Sequence, residues 1–247
     1  IKSYVDSFEN ALAGNNFQHP ATGFRKYADE NSFIDYLIVN EISRNVDAYR
    51  LSSYFYKDRN SVNSKIIAGP VWDYDLAFRN ADYCDGSLTT GWAYDFNKVC
   101  AADYWQIPFW WDRFMQDTAF KSRLFCRWKE VRQTVLSNDK LLHLIDSVDN
   151  LVAEAQQRHF TQWPVLGEYV WPNPQPIPTS YAGEISSLKN WLTLRLQWLD
   201  ANMPLSGRCS PWPANAEGTM LITISNPVFN FNNAFIQSKQ VQKIYVR

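Results

Sequence analysis

The feature that most restricts how this chain can fold is a strand, turn and strand pattern bracketed by acids. Ser53-Tyr-Phe-Tyr-Lys57 alternates as a half-buried strand does, Asp58-Arg-Asn-Ser-Val-Asn-Ser64 is a polar turn, and Lys65-Ile-Ile-Ala68 runs back toward Gly69-Pro-Val-Trp72. A hairpin returns the chain to the edge it left. Asn45-Val-Asp47 before the first strand and Asp73-Tyr-Asp75 after the second are therefore expected side by side at its open end. Two converging carboxylates beside an Asn suit Mg²⁺, which prefers hard oxygen donors and takes few of them from protein when phosphate is present. Asp73 and Asp75 would share a face in a continuing strand; in a turn their directions stay open.

Helices frame this hairpin. Tyr4, Val5, Phe8, Ala11 and Leu12 recur at helical spacing over residues 2–13, and Gly14 supplies a stop. A second helix is expected after Asn31-Ser32, with Ser32 as its cap and Asp35 in the capping-box place, ending near Arg44. Its Asn40-Glu41 pair points toward the Asn45 to Asp47 turn and is expected to support it. An irregular stretch from Arg79 to about Ala102 precedes helices expected over 104–116, 119–136, 139–160 and 182–202. Between the last two, Trp171-Pro-Asn-Pro-Gln-Pro-Ile-Pro178 cannot be regular helix or central strand, because proline lacks the amide hydrogen and fixes φ. The fold class is α+β. One main domain over 1–203, a Pro/Gly-containing linker over 204–218 and a small β segment over 219–247 account for the pattern.

Composition removes several function classes. Net charge is -1 with no Lys/Arg-rich run, so the electrostatic footprint of a nucleic-acid binder is missing. No apolar run approaches the roughly 18 to 20 residues that span a bilayer, and the chain is read as not transmembrane. It opens at Ile1 directly into a helix pattern, so a preceding segment is expected. Four cysteines without CxxC spacing and three histidines, none beside a cysteine, make zinc a poor fit. Cys84 and Cys100 bracket a polar, Gly-containing loop, and Cys126 and Cys209 remain; these two pairs are the expected disulfides and point to an oxidising compartment. Eleven Trp and thirteen Tyr are assigned mainly to core, with Trp105, Trp110 and Trp111 at helix-like spacing. His143 and His159 lie on helical segments and are not read as ligands, and nothing else supports Glu154 and Glu168 as a glycosidase pair.

Asp29-Glu-Asn-Ser-Phe-Ile-Asp-Tyr-Leu-Ile-Val-Asn-Glu-Ile-Ser-Arg-Asn-Val-Asp47, then Tyr54-Phe-Tyr-Lys-Asp58, then Gly69-Pro-Val-Trp-Asp-Tyr-Asp-Leu-Ala-Phe78 resembles the CotH (spore coat protein H) kinase family, in its secreted bacteroidete branch. The resemblance extends through Asn80-Ala-Asp-Tyr-Cys84 and Pro108-Phe-Trp-Trp111 to about Pro204. It implies the mostly helical large lobe of an atypical protein-kinase-like fold. The implied activity uses ATP and Mg²⁺ (or Mn²⁺) to phosphorylate Ser of partner proteins. By position, Asp47 looks like the catalytic aspartate and Asp73 like the metal-binding one, with Asp75 beside it and Asn45 and Ser52 toward the cofactor. Relatives often carry an Asn where this chain has Ser52-Ser53, and Gly where it has Arg79. The phosphate-binding lysine of the small lobe is expected before Ile1. The 219–247 segment is similar to a type IX sorting domain, which implies secretion or cell-surface attachment. The competing expectation is a secreted structural or adhesive protein that keeps the fold without catalysis.

Overall fold

The computed structural model describes residues 1–204 and Cys209. The first helix, α1 (Lys2–Ala13), takes the predicted span and buries Phe8 and Leu12. The second, α2 (Glu30–Ser43), starts earlier than its sequence suggests, because Asp29 and not Ser32 is the cap: the Asp29 side chain accepts the Ser32 N–H at 2.9 Å. Ser32 is instead buried, its hydroxyl donating to the Asp29 carbonyl at 2.8 Å and accepting the Ala68 N–H at 3.1 Å. Eleven of the fourteen α2 residues are buried, so this helix runs through the centre of the molecule and has no solvent face to speak of.

The hairpin forms as β1 (Phe55–Lys57) and β2 (Ile66–Ala68), antiparallel, with Phe55 opposite Ala68 and Lys57 opposite Ile66. Two strands of three residues are not stable alone. Here β2 is buried throughout, Asp29 N–H donates to the Ile66 carbonyl at 2.8 Å and Ile66 N–H to the Tyr27 carbonyl at 2.7 Å, so the start of α2 serves as backing. Tyr54, Gly69 and the segments beyond them lead out at the open end, where Gly69 N–H still reaches the Tyr54 carbonyl at 2.8 Å.

The remaining helices close around α2. They are α3 (Phe96–Val99), α4 (Trp110–Phe114), α5 (Thr118–Gln133), α6 (Asn138–Leu151), α7 (Ala153–Gln162) and α8 (Tyr181–Asn202). Trp111, Phe114, Phe33, Phe24 and Phe120 form the aromatic centre of the core, with Phe114 stacked on Phe120 at 5.1 Å and edge-on to Phe33 at 5.4 Å. On the far side of α2, Asp35 takes Arg127 of α5 through two bonds of 2.7 and 3.2 Å.

The expected 119–136 helix ends at Gln133, and the 104–116 and 139–160 helices differ more. Residues 103–109 stay irregular and only Trp110–Phe114 is helical, since Pro108 has no N–H to give and the Asn97 side chain accepts from Ile107 N–H at 2.7 Å while donating to its carbonyl at 2.8 Å. Trp105 therefore lies outside the core, 56% exposed, while Trp111 is fully buried. The 139–160 helix is two helices, α6 and α7, interrupted at Val152 with ψ near 6°. Both disulfides form as paired in the sequence reading, Cys84 with Cys100 and Cys126 with Cys209. Among the described residues no helix is long and apolar enough to cross a membrane. The strands expected in 219–247, and the linker apart from Pro204 and Cys209, lie outside the described residues.

Candidate functional site

The last turn of α2 supplies the platform. Glu41 is fully buried, and each of its oxygens takes two donors: Tyr49 OH at 3.0 Å and Tyr94 N–H at 3.0 Å on Oε1, Ala93 N–H at 2.7 Å and Arg195 Nη2 at 3.1 Å on Oε2. Arg195, on α8, is also fully buried and donates to the carbonyls of Glu41, Thr89 and Gly91 at 2.8, 3.1 and 2.7 Å. Burial pushes the Glu41 carboxyl up, against the pull of Arg195, and lowers the guanidinium to about 10, still charged at neutral pH. Arg44 closes α2 in the left-handed region, φ 46°, and donates to the Asp85 and Gly91 carbonyls at 2.8 and 2.6 Å. The whole 85–95 loop is thereby fixed to the end of α2. Gly86 has to be glycine, since a Cβ there would stand 2.4 Å from Val46 Cγ1.

From this platform the two acid loops emerge and are tied to each other. Val46 N–H donates to the Leu76 carbonyl at 3.3 Å and Phe78 N–H to the Ser43 carbonyl at 2.7 Å. Tyr74, between the two aspartates, donates to the Asn40 side-chain oxygen at 2.9 Å. Asn40 and Glu41 do not bond to the Asn45 to Asp47 turn as expected: Asn40 holds the Asp73–Asp75 loop through Tyr74, and Glu41 holds residues 93–94 and Tyr49.

All five residues singled out from sequence meet here. Asn45 is 4% exposed and its side-chain oxygen accepts the Asp47 N–H at 3.0 Å, so it shapes the turn that presents Asp47. The Asp47 side chain is 17% exposed and its Oδ1 accepts Arg50 Nη2 at 3.1 Å. Ser52 donates to Asp73 Oδ2 at 3.0 Å. Asp75 accepts the Leu76 N–H at 3.0 Å, and its carbonyl takes the Asn80 amide at 2.8 Å. The loop around Asp73 is a turn and not a continuing strand. Burial raises the Asp47 carboxyl above the usual aspartate value; Arg50 pulls it down, while Asp75, Asp73 and Asp103 push it up. These four acids therefore share one electrostatic neighbourhood, and Tyr83 belongs to it as well, its hydroxyl raised by burial and then by Asp47.

Backbone strain concentrates in the same place. Among the described non-glycine residues, those with positive φ are Arg44, Tyr49, Ser52, Asp73, Phe78, Arg79, Cys84 and Asp85, every one within 44–52 or 73–85. Left-handed backbone at Tyr and Phe costs energy that the surrounding bonds must offset, and such strain gathers where side chains must be aimed.

The side-chain oxygens that could hold a cation are the Ser52 hydroxyl and the carboxylates of Asp73 and Asp75, all hard donors. No group of three or more His, Cys, Asp or Glu among the described residues closes a cation cage. Two carboxylates and a hydroxyl are donors of the kind Mg²⁺ takes, since it completes its shell with water and phosphate. Sequence reasoning missed Arg50, Asp103 and Tyr83. Arg50 stands three residues after Asp47, a signal within reach, whereas Asp103 follows Arg50 at a separation of 53 residues with no pattern that joins them.

A family model described as CotH kinase protein matches residues 1–199 of the chain. No curated protein and no solved structure matches it.

Proposed function

The chain belongs to the CotH kinase family, and from that premise we propose that it transfers the terminal phosphoryl group of ATP to Ser hydroxyls of a partner protein. Asp73, Asp75 and the Ser52 hydroxyl would hold Mg²⁺ or Mn²⁺, which neutralises charge on the phosphates when bound. Asp47 orients the acceptor. As the Ser oxygen bonds to the γ-phosphorus and the bond to the bridging oxygen of the departing ADP breaks, the Ser proton passes to Asp47. Ionised Asp47 has one oxygen committed to Arg50 and the other without a hydrogen bond from any described residue.

The observation that carries this reading is the joining of the two acid loops at the open end of the hairpin. Asp73 faces the Ser52 hydroxyl, and Asp47 lies close enough for its carboxyl to be raised by both Asp73 and Asp75. A phosphotransfer site needs that juxtaposition of an acceptor-facing acid and a metal-facing acid. The cationic residue for the triphosphate is proposed to come from upstream of Ile1.

The two disulfides support a location outside the reducing cytoplasm, and residues 219–247 are proposed as the means of surface attachment. The test is transfer of labelled phosphate from ATP by the full-length protein with Mg²⁺ or Mn²⁺. Transfer that is lost in Asp47→Asn and in Asp73→Asn is expected. Absence of metal-dependent nucleotide binding in the intact protein would overturn the reading and leave a surface protein that keeps the fold without turnover.

A further inference from the structure

We propose that Arg50 is a positioning residue that locks the carboxylate of Asp47 in place, with Asp103 as the anchor on its other side. The proposal deepens the phosphotransfer reading and rests on it for its kinetic consequences. Its geometric content stands on the structure alone.

The Arg50 side chain is 3% exposed, and every nitrogen of its guanidinium is engaged. Nε donates to the Val46 carbonyl at 2.9 Å, Nη2 to Asp47 Oδ1 at 3.1 Å, and Nη1 to both Asp103 Oδ1 and the Trp105 carbonyl at 3.3 Å. The face of the group lies over the Phe96 ring at 4.0 Å. A planar fork held at every corner and on one face cannot rotate, so the acid it touches is held too.

Asp103 is itself fixed. Its Oδ1 also accepts the Trp105 N–H at 2.8 Å, its own N–H donates to the Cys100 carbonyl at 3.0 Å, and its carbonyl takes the Gln106 amide at 2.7 Å. Cys100 is in turn bonded to Cys84. A covalent link thus stands behind Asp103, Asp103 stands behind Arg50, and Arg50 stands behind Asp47. The arrangement explains why a buried guanidinium is shared between two acids when a single partner would neutralise it. One bond sets the direction of the Asp47 carboxylate, and the other keeps Arg50 from following Asp47 when that carboxylate takes up a proton. Lysine cannot substitute, because a single ammonium cannot span Val46, Asp47, Asp103 and Trp105 together.

Displacement of a reacting group by 1 Å costs up to about 100-fold in rate. In the full-length protein, Arg50→Lys should lower kcat by about 100-fold and Asp103→Asn by about tenfold, each with the acceptor KM changed less than about twofold. The double variant should be no slower than Arg50→Lys alone, because both substitutions release the same carboxylate. Multiplying losses, or losses that appear in KM, would overturn the proposal. Crystal structures of Asp103→Asn and Arg50→Lys give a readout that needs no turnover: the Asp47 carboxylate should move by about 1 Å or change rotamer. An Asp47 that keeps its place in Asp103→Asn overturns the proposal even if Arg50→Lys fails to fold. A wild-type protein without phosphotransfer would remove the kinase reading and leave this structural comparison to decide the role of Arg50.

Discussion

Two carboxylates six residues apart, Glu41 and Asp47, sit in regions built to opposite ends. Around Glu41 four donors converge, no solvent enters, and the partner Arg195 comes from 154 residues away. Around Asp47 the donors are Arg50 on one oxygen only, the side chain is partly exposed, and the neighbours include three further acids. The first region satisfies its charge and fixes the loops. The second leaves its charge incompletely satisfied, which costs stability. Strain does not follow this division, since positive φ occurs both at Arg44, Tyr49 and Asp85 on the platform side and at Ser52 and Asp73 on the acid loops.

The largest way to break this contrast is Glu41→Gln. Removing one partner of a buried pair leaves Arg195 uncompensated, and a loss of about 3–5 kcal/mol is expected in denaturant unfolding. Joint replacement by Glu41→Leu and Arg195→Met should not restore it, because the Ala93 and Tyr94 amides and the Thr89 carbonyl would lose the partners they have here. Next comes Cys84→Ser with Cys100→Ser, where loss of the 16-residue link should cost about 3 kcal/mol by the same measurement.

Asp47→Asn should behave in the reverse sense. Transfer should fall by about 10² to 10⁴, yet stability near neutral pH should not fall. The carboxyl is raised in the folded state above its unfolded value, so the protonated form favours folding. That contribution is complete below the unfolded value near 3.8 and is lost as pH rises through the folded one. A melting temperature that drops sharply for Asp47→Asn would contradict the contrast. For the same reason the Asp47 carboxyl of the metal-free protein should titrate above the usual aspartate range, as a carboxyl-carbon NMR titration can check. In the metal-free protein Asp75→Asn, which removes a like charge, should bring that titration down. The smallest effect expected is at Ser52. Ser52→Ala should weaken Mg²⁺-dependent nucleotide binding by about fivefold, the value of one hydrogen bond or weak ligand, while Ser52→Asn should hold or improve it, as titration calorimetry can show.

The elements at the heart of this contrast were unevenly legible. The hairpin could be read because its turn is dense in Asn, Asp and Ser and its strands alternate, and that alone placed Asp47 beside Asp73. The start of α2 was missed because Asp29 and Ser32 both qualify as caps, and only the burial of Ser32 against β2 decides between them. Residues 104–109 carry helical spacing, and what defeats it is Pro108 together with the Asn97 side chain, a contact from ten residues upstream. The Glu41–Arg195 and Arg50–Asp103 pairs have no sequence period because each joins elements that meet only after the fold closes.

The meeting of Ser52 and Asp73 also sets a narrow alphabet for these two positions. Ser52 sits at φ 46° and Asp73 at φ 64°. Thr would bring the same hydroxyl as Ser, but its branched Cβ is disfavoured in left-handed backbone, and Glu would bring the same charge as Asp without the short side chain that tolerates it. Exchanges that preserve chemistry are therefore the ones this backbone resists. Asn, Asp and Gly at 52, and Asn and Gly at 73, alter the oxygens offered and are the ones it admits. Drift at these positions changes the side-chain oxygens before it changes the shape.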